Sequence, residues 1–152
     1  AGFCGDRRVS SGTGGGTSET DYQPYTRMNN SSPSLSCNTN DIYTTIDSST
    51  GNKSLTYPIG LISADEVVLA GIPWWENGSN TNNYLYTGQI YWTMSPSWYN
   101  NGFAYVFNVD GLGSLDGWDV NSTNGVRPVI NLKSAIAITG SGTISDPYEV
   151  AS

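Results

Sequence analysis

A third of this chain consists of three small polar residues, and this limits what the chain can fold into. Among its 152 residues are 20 Ser, 15 Thr and 15 Asn. These side chains hydrogen-bond to nearby backbone, so they favour turns and strand edges and weaken long helices. Only 12% of the residues are charged, about half of the roughly 25% usual in soluble domains. We therefore predict a single α+β domain over 1–152, with short antiparallel strands, one or two short helices and long loops.

The charge balance excludes two classes of partner. The chain has a net charge of −7 and six cationic residues, so it lacks the basic surface that neutralises nucleic-acid phosphates or anionic lipid. Its sequence also contains no apolar run that approaches the roughly 20 residues of a membrane span. We therefore expect no nucleic-acid partner and no membrane-embedded segment.

The two cysteines, Cys4 and Cys37, indicate where the protein resides. In so polar a chain they predict one disulfide that closes the N-terminal segment and contributes about 3–4 kcal/mol, with two free thiols as the alternative. Zinc binding is less favoured, because two cysteines without any histidine cannot complete a tetrahedral shell. A disulfide indicates export, so we expect a secreted or bacterial cell-surface protein.

Local signals divide the chain into a loop-rich N-terminal part and a more regular core. Residues 1–56 contain few apolar residues, and we predict that they wrap irregularly around a core formed by 57–150. Ser63 stands three residues before Glu66, the spacing of a capping box, which predicts a short helix that ends at Gly71.

Four strands are predicted after this helix, over 89–94, 103–109, 126–132 and 148–150. The Ser95-Pro96 pair is expected to end the first strand, and Asp110-Gly111 and Asp116-Gly117 are predicted turns. Alternation along the second strand places one set of side chains on a common face: Phe103, Tyr105, Phe107 and Val109. Arg127 is expected to form a core ion pair with Asp65 or Glu66.

Four motifs resemble one known family. In chain order they are YPIGLISADEV at 57–67, YLYTG at 84–88, YWTMSP at 91–96 and GVRPVINLK at 125–133. The family is a bacterial domain of unknown function in pilin-like and surface proteins of Firmicutes. It looks like the C-type-lectin fold that formylglycine-generating enzymes and retroelement-diversified variable proteins share. The resemblance covers about 57–150 and implies a C-type-lectin-like fold displayed on a cell surface.

The sequence offers little to an enzyme. It contains no histidine, which excludes Ser-His-Asp and Cys-His catalysis. Asp110, Asp116 and Asp119 are close enough in sequence to suggest the carboxylate pair of a glycoside hydrolase or a set of calcium ligands. Each, however, has neighbours typical of a turn-forming aspartate. We expect no catalysis and no cofactor, with Ca²⁺ as the one ion that these acids could hold.

Aromatic and Asn-rich segments favour binding instead. Trp and Tyr supply rigid contact area while Asn, Ser and Gly adapt their hydrogen bonds, as in antibody paratopes. The stretch 98–101 stands between Pro and Gly, which indicates an exposed loop, and Trp118 stands between turn residues. We therefore expect an adhesion domain that recognises a protein or glycan through Trp98, Tyr99, Asn100, Asn101, Asp116, Trp118 and Asp119. Two alternatives remain: aromatics that attach loops to the core, or a structural subunit of a pilus-like filament that binds copies of itself.

Overall fold

The computed structural model of the chain describes residues 2–14, 18–44, 55–57, 59–76, 80–132, 135–143 and 145–150. In chain order the strands are β1 (Gly2–Cys4), β2 (Val9–Ser11), β3 (Thr20–Tyr22), β4 (Ile42–Thr44), β5 (Ile59–Leu61), β6 (Tyr91–Asn100), β7 (Phe103–Val109), β8 (Leu115–Asp119), β9 (Gly125–Val126), β10 (Pro128–Ile130), β11 (Ile138–Thr139) and β12 (Glu149–Val150). The helices are α1 (Gln23–Asn29) and α2 (Ala64–Leu69). Pro58 and Lys133, which belong to the first and last motifs, lie outside the described residues.

One sheet organises the molecule. Its strands follow the order β2, β3, β6, β7 and β8, all antiparallel, and β9 pairs in parallel with the first residues of β6. Three two-stranded antiparallel sheets accompany it, formed by β1 with β4, β5 with β10, and β11 with β12. Antiparallel strands and two short helices agree with the α+β prediction.

The core lies between the central sheet and the two helices. Its buried side chains are Met28, Ala64, Val67, Ile72, Leu85, Tyr91, Phe107, Val109 and Leu115. They come from both helices, from β6, β7 and β8, and from the loops between them. No helix in the described part of the chain is long and apolar enough to cross a membrane.

Helix α2 begins and ends as predicted. The Ser63 hydroxyl accepts a hydrogen bond from the Glu66 amide at 3.2 Å, and the Glu66 carboxylate accepts one from the Ser63 amide at 2.8 Å. Both halves of the capping box are therefore formed. Gly71 follows the helix with a φ of 91°, a left-handed conformation that glycine adopts without strain.

The N-terminal part is more regular than predicted. It contributes β2 and β3 to the central sheet and α1 to the core, where Met28 is only 3% exposed. The prediction of an irregular wrap over 1–56 is wrong for these segments. Strands of three residues are too short to show alternation, and the seven-residue helix buries only Pro24 and Met28, so neither produces a periodic signal.

The predicted disulfide is present. Cys4 and Cys37 are bonded, with their Cα atoms 5.8 Å apart. Cys4 ends β1, and Cys37 lies in the segment between α1 and β4. The bond therefore ties the first strand to the chain that follows the first helix.

A buried ion-pair network holds the same region to α2. Arg27 donates to Asp6 at 2.7 Å and, through two nitrogens, to both oxygens of Asp65 at 2.7 Å. Burial alone would raise the pKa of the Asp6 carboxyl, but hydrogen bonds from Arg8 and Arg27 outweigh it and hold this pKa below its usual value. The expected pair between Asp65 and Arg127 is wrong.

Arg127 has a different role from the one expected. Its guanidinium donates to the Leu85 carbonyl oxygen at 2.7 Å and lies 5.5 Å from the centre of the Tyr91 ring. Residue Arg127 lies between β9 and β10, so the single strand predicted over 126–132 is divided in two. Pro128 lies in a two-stranded sheet, where either strand is an edge that tolerates its missing N–H.

Candidate binding cleft on the outer face of the sheet

The central sheet has an inner face, which packs against the helices, and an outer face opposite to it. Phe107 and Val109 of β7 belong to the core, so they define the inner face. Successive side chains of a strand point to opposite faces. Ala104, Val106 and Asn108 therefore lie on the outer face, as the alternation in the sequence predicted.

Strand pairing extends the outer face to neighbouring strands. Residues directly opposite each other in adjacent strands point to the same side of a sheet. Val106 lies opposite Pro96 of β6 and Trp118 of β8. Ala104 lies opposite Tyr99. The outer face thus carries a proline, a tyrosine and a tryptophan at the end of the sheet formed by the β6–β7 hairpin.

A cleft of about 180 Å³, here called the aromatic cleft, opens at this end of the sheet. It is lined by Gly14, Thr20, Tyr22, Pro96, Trp98, Tyr99, Ala104, Tyr105, Val106 and Val120. Thr20 is 2% exposed, and its hydroxyl already accepts from the Gly14 amide and donates to the Ser18 carbonyl oxygen. The walls of the cleft therefore present mostly apolar groups and tyrosine rings.

A tight turn fixes the hairpin beside the cleft. Asn100 pairs with Phe103, which leaves a two-residue loop of Asn101 and Gly102. Both loop residues have positive φ, 49° and 85°, the conformation for which Asn-Gly is preferred in hairpins. The prediction of an exposed loop over 98–101 is wrong except at its last residue, because β6 continues to Asn100.

Pro96 does not end β6, in contrast to the prediction. It pairs with Val106, and the register of β6 against β7 shifts on both sides of it. On its other edge, β6 pairs with β9 at Tyr91 and Trp92 and with β3 at Trp98 and Tyr99. Pro96 lies between these two pairings, where its missing N–H costs no ladder hydrogen bond.

The ring of Trp98 packs on the inner face of the sheet. The ring stacks on Tyr105 with centroids 4.6 Å apart and packs against Tyr25 of α1 at 5.0 Å. It also covers Gly117, since a Cβ added there would lie 2.4 Å from the ring. Gly117 is therefore a site of close approach inside β8, and the predicted Asp116-Gly117 turn is wrong.

Two other predicted site residues share the outer face with the cleft. Trp118 is 42% exposed and lies opposite Val106, which lines the cleft. Asp116 lies opposite Asn108. Burial, together with the negative charge of Asp110, raises the pKa of the Asp116 carboxyl above its usual value, despite a hydrogen bond from the Gly117 amide.

The remaining predicted residues do not join this surface. Asp119 lies opposite Tyr105 and therefore on the inner side. Asn100 follows Tyr99 in the strand and therefore points to the opposite face. Its Oδ1 is buried without a hydrogen-bond partner among the described residues. Asp116 and Asp119 thus point to opposite faces, so one ion cannot bind to both. Within the described ranges, no three His, Cys, Asp or Glu side chains come together to hold a metal ion.

Sequence reasoning missed several residues of the cleft. Tyr22 belongs to a strand of three residues, Pro96 was assigned to a strand end, and Val120 follows the last residue of β8. The alternation of 103–109 was the one pattern that could have found lining residues. It separated Ala104 and Val106 from the residues of β7 that face the core.

Comparisons with known proteins add no relative. The chain matches no model of a known protein family. It matches no curated protein and no solved structure. The family resemblance of the four motifs therefore rests on the residues alone and enters the proposal below as a prediction.

Proposed function

We propose that this chain is an extracellular binding domain that recognises a protein or a glycan through the aromatic cleft and the outer-face residues beside it. The observation that carries the proposal is the cleft itself: a largely apolar depression at the hairpin end of the central sheet, bordered by Tyr22 and Tyr99. Ligand sites are typically concave and largely apolar, with a few polar groups at their edges. Trp118, which is 42% exposed and lies opposite the lining residue Val106, is an aromatic side chain beside this depression.

The surroundings of the cleft suit binding because they are rigid before a ligand arrives. Most of its walls belong to paired strands, the hairpin turn has the favoured Asn-Gly sequence, and the disulfide and the Arg27 ion pairs hold the N-terminal strands in place. Preorganised sites lose less conformational entropy on association. A neutral-polar, disulfide-bonded domain is typical of exported proteins. The proposal therefore includes display on a bacterial surface, a C-type-lectin-like fold and no catalytic activity.

The test is a comparison of variants on glycan and peptide arrays. Tyr99→Ala removes one wall of the cleft, and we expect it to reduce array binding about tenfold or more, as loss of a buried aromatic contact does. Tyr84→Ala is the matched control, because Tyr84 is 72% exposed and does not line the cleft. Equal binding by the two variants, with both folded by circular dichroism, would contradict the proposal.

A second candidate function, a subunit of an extracellular filament, is favoured by an apolar stripe on β9, β10 and the residues after them. Val126, Ile130 and Leu132 are 69%, 63% and 44% exposed, and Ile59 of β5 lies opposite Ile130 with half of its surface exposed. Contiguous exposed apolar patches mark interaction surfaces. If this function is correct, the protein should assemble as concentration rises in light scattering, and Ile130→Asp should abolish assembly while Tyr99→Ala leaves it intact.

A further inference from the structure

A second depression continues from the aromatic cleft along the outer face. It has a volume of about 470 Å³ and shares Gly14, Tyr22 and Pro96 with the cleft. Its other lining residues are Arg7, Arg8, Val9 and Asp41. The two depressions together form one groove, here called the outer groove, with an apolar aromatic end and an arginine end.

The arginine end stands out against the charge of the whole chain. The protein has a net charge of −7 and only six cationic residues. Among the described residues, Arg7 and Arg8 are the exposed arginines, and both line this groove. The carboxylates near Arg8 lie beneath it: the side chains of Asp6 and Asp41 are 3% and 9% exposed, against 45% for Arg8. The charged side chains that reach solvent in this depression are therefore chiefly those of the two arginines.

The Arg8 guanidinium is held in a fixed orientation. Its Nε and Nη2 donate to the two oxygens of Asp6, each at 2.9 Å. Such a bidentate pair fixes the plane of the group, so less side-chain entropy is lost when the guanidinium contacts a further anion. Asp6 also accepts a hydrogen bond from Arg27, so two guanidinium groups share this one carboxylate.

The aromatic end favours an apolar group over a sugar ring. A saccharide needs hydrogen-bond partners for its hydroxyls, because a polar group that loses water without a new partner costs free energy. The Thr20 hydroxyl in the cleft is already bonded to Gly14 and Ser18. Pro96, Ala104, Val106 and Val120 offer only apolar side-chain contact there. An aliphatic or aromatic side chain meets no such cost.

From these observations we propose that the outer groove binds an extended acidic peptide segment of a partner protein. An apolar side chain of the segment enters the aromatic cleft, and nearby carboxylates meet Arg7 and Arg8. Aromatic-lined grooves that take apolar side chains and arginines that take acidic motifs are recurrent modes of peptide recognition. This inference rests on the proposed function and names the ligand class of the same site.

The test is selection from a phage-displayed library of random peptides, with wild-type protein as bait. We expect enriched peptides to carry Asp or Glu within a few residues of an apolar side chain. Arg7→Gln should weaken their binding about tenfold, the cost of one charge-assisted contact, whereas Arg7→Lys should retain most of it. Binding should also weaken as the salt concentration rises from about 0.01 M to about 1 M, because screening shortens the range of charge interactions.

The other outcomes separate this inference from the proposed function. Enriched peptides that are neutral or basic, yet lose binding with Tyr99→Ala, would overturn the acidic ligand and leave the cleft as a binding site. Binding to a glycan array that depends on Tyr99, with no peptide enriched, would do the same. No Tyr99-dependent binding in either assay, with folded protein, would overturn both.

Discussion

Trp98 and Tyr99 are adjacent in the chain but point to opposite faces of the central sheet. Trp98 lies opposite Asp21 of β3, stacks on Tyr105 and packs against Tyr25 of α1. Tyr99 lies opposite Ala104 and borders the cleft. Since successive side chains of a strand alternate, consecutive aromatics in a strand point to opposite faces, although both of these residues border the cleft at the end of the sheet. We therefore expect Trp98 to contribute mainly to stability and Tyr99 mainly to the proposed binding.

Trp98→Ala is expected to lower the free energy of unfolding by about 3 kcal/mol, as truncation of a packed tryptophan does. Its ring contacts Tyr105 and Tyr25, so its loss leaves a gap between the sheet and α1. Urea unfolding followed by circular dichroism measures the change. Trp118→Ala is the matched control and should cost less than about 1 kcal/mol, since exposed substitutions have small effects. Equal losses would mean that Trp98 does not contribute to the core.

Gly117→Ala is expected to destabilise the fold, although alanine is a small addition. The added Cβ would lie 2.4 Å from the Trp98 ring, so the ring must move away from its position over β8. We expect a loss of about 2 kcal/mol, within the range for overpacking. Gly111→Ala is a suitable control, because its Cβ would meet its nearest neighbour at 3.8 Å. A Gly117→Ala protein as stable as wild type in thermal unfolding would contradict the close approach.

Replacing both cysteines by serine is expected to lower the unfolding free energy by roughly 3–4 kcal/mol, the value for a loop of this size. Cys4 and Cys37 are separated by 33 positions in the sequence. Denaturant unfolding with and without a reducing agent measures the effect. Reductant should destabilise wild type by a similar amount and should leave the double variant unchanged. A wild-type protein indifferent to reductant would show that the bond contributes nothing.

Stability should fall in acid through Asp6. The pKa of Asp6 is lower in the folded protein than its ordinary value of 3.8, so its stabilising contribution is present above that value and is lost as the pH falls through the folded-state pKa. Asp6→Asn should cost about 3 kcal/mol at neutral pH, because it leaves Arg27 short of a buried partner. The difference from wild type should narrow below pH 3.8. A difference that does not change with pH would exclude this role for Asp6.

Asp116 should behave in the opposite sense. Its pKa is raised in the folded protein, chiefly by burial, so ionisation opposes folding, and its unfavourable contribution disappears as the pH falls through the raised pKa. Asp116→Asn should therefore increase stability at neutral pH and have no such effect in acid. Urea unfolding of wild type and of Asp116→Asn, at neutral pH and in acid, measures this difference in stability. Decreased stability at neutral pH would show that the charged carboxylate makes a favourable contact.

Short sequence motifs whose residues hydrogen-bond to one another predicted local structure correctly. The Ser63 and Glu66 spacing predicted the start of α2, and Asp110-Gly111 predicted a turn, in which the Asp110 side chain accepts from the amides of Leu112 and Ser114. These features depend on hydrogen bonds between near neighbours in the chain. No distant residue is needed to form them.

Signals read from single residues predicted less well. Pro96 was expected to end a strand, but the gap between β3 and β9 accommodates it. Gly117 was expected in a turn, but it allows the Trp98 ring to approach β8. A proline or a glycine shows which backbone a position tolerates. It does not show which of several distant partners requires that backbone.

Sequence by itself therefore determined the α+β composition of this protein, its disulfide, the capped helix and the alternation of β7. Tertiary structure alone decided which side chains share a surface. Arg27 meets Asp6 and Asp65 across three segments, and Tyr22 and Tyr99 line the same cleft only because β3 lies beside β6. Such contacts depend on strand order and register, and shifting a register by one residue moves every side chain of a strand to the other face.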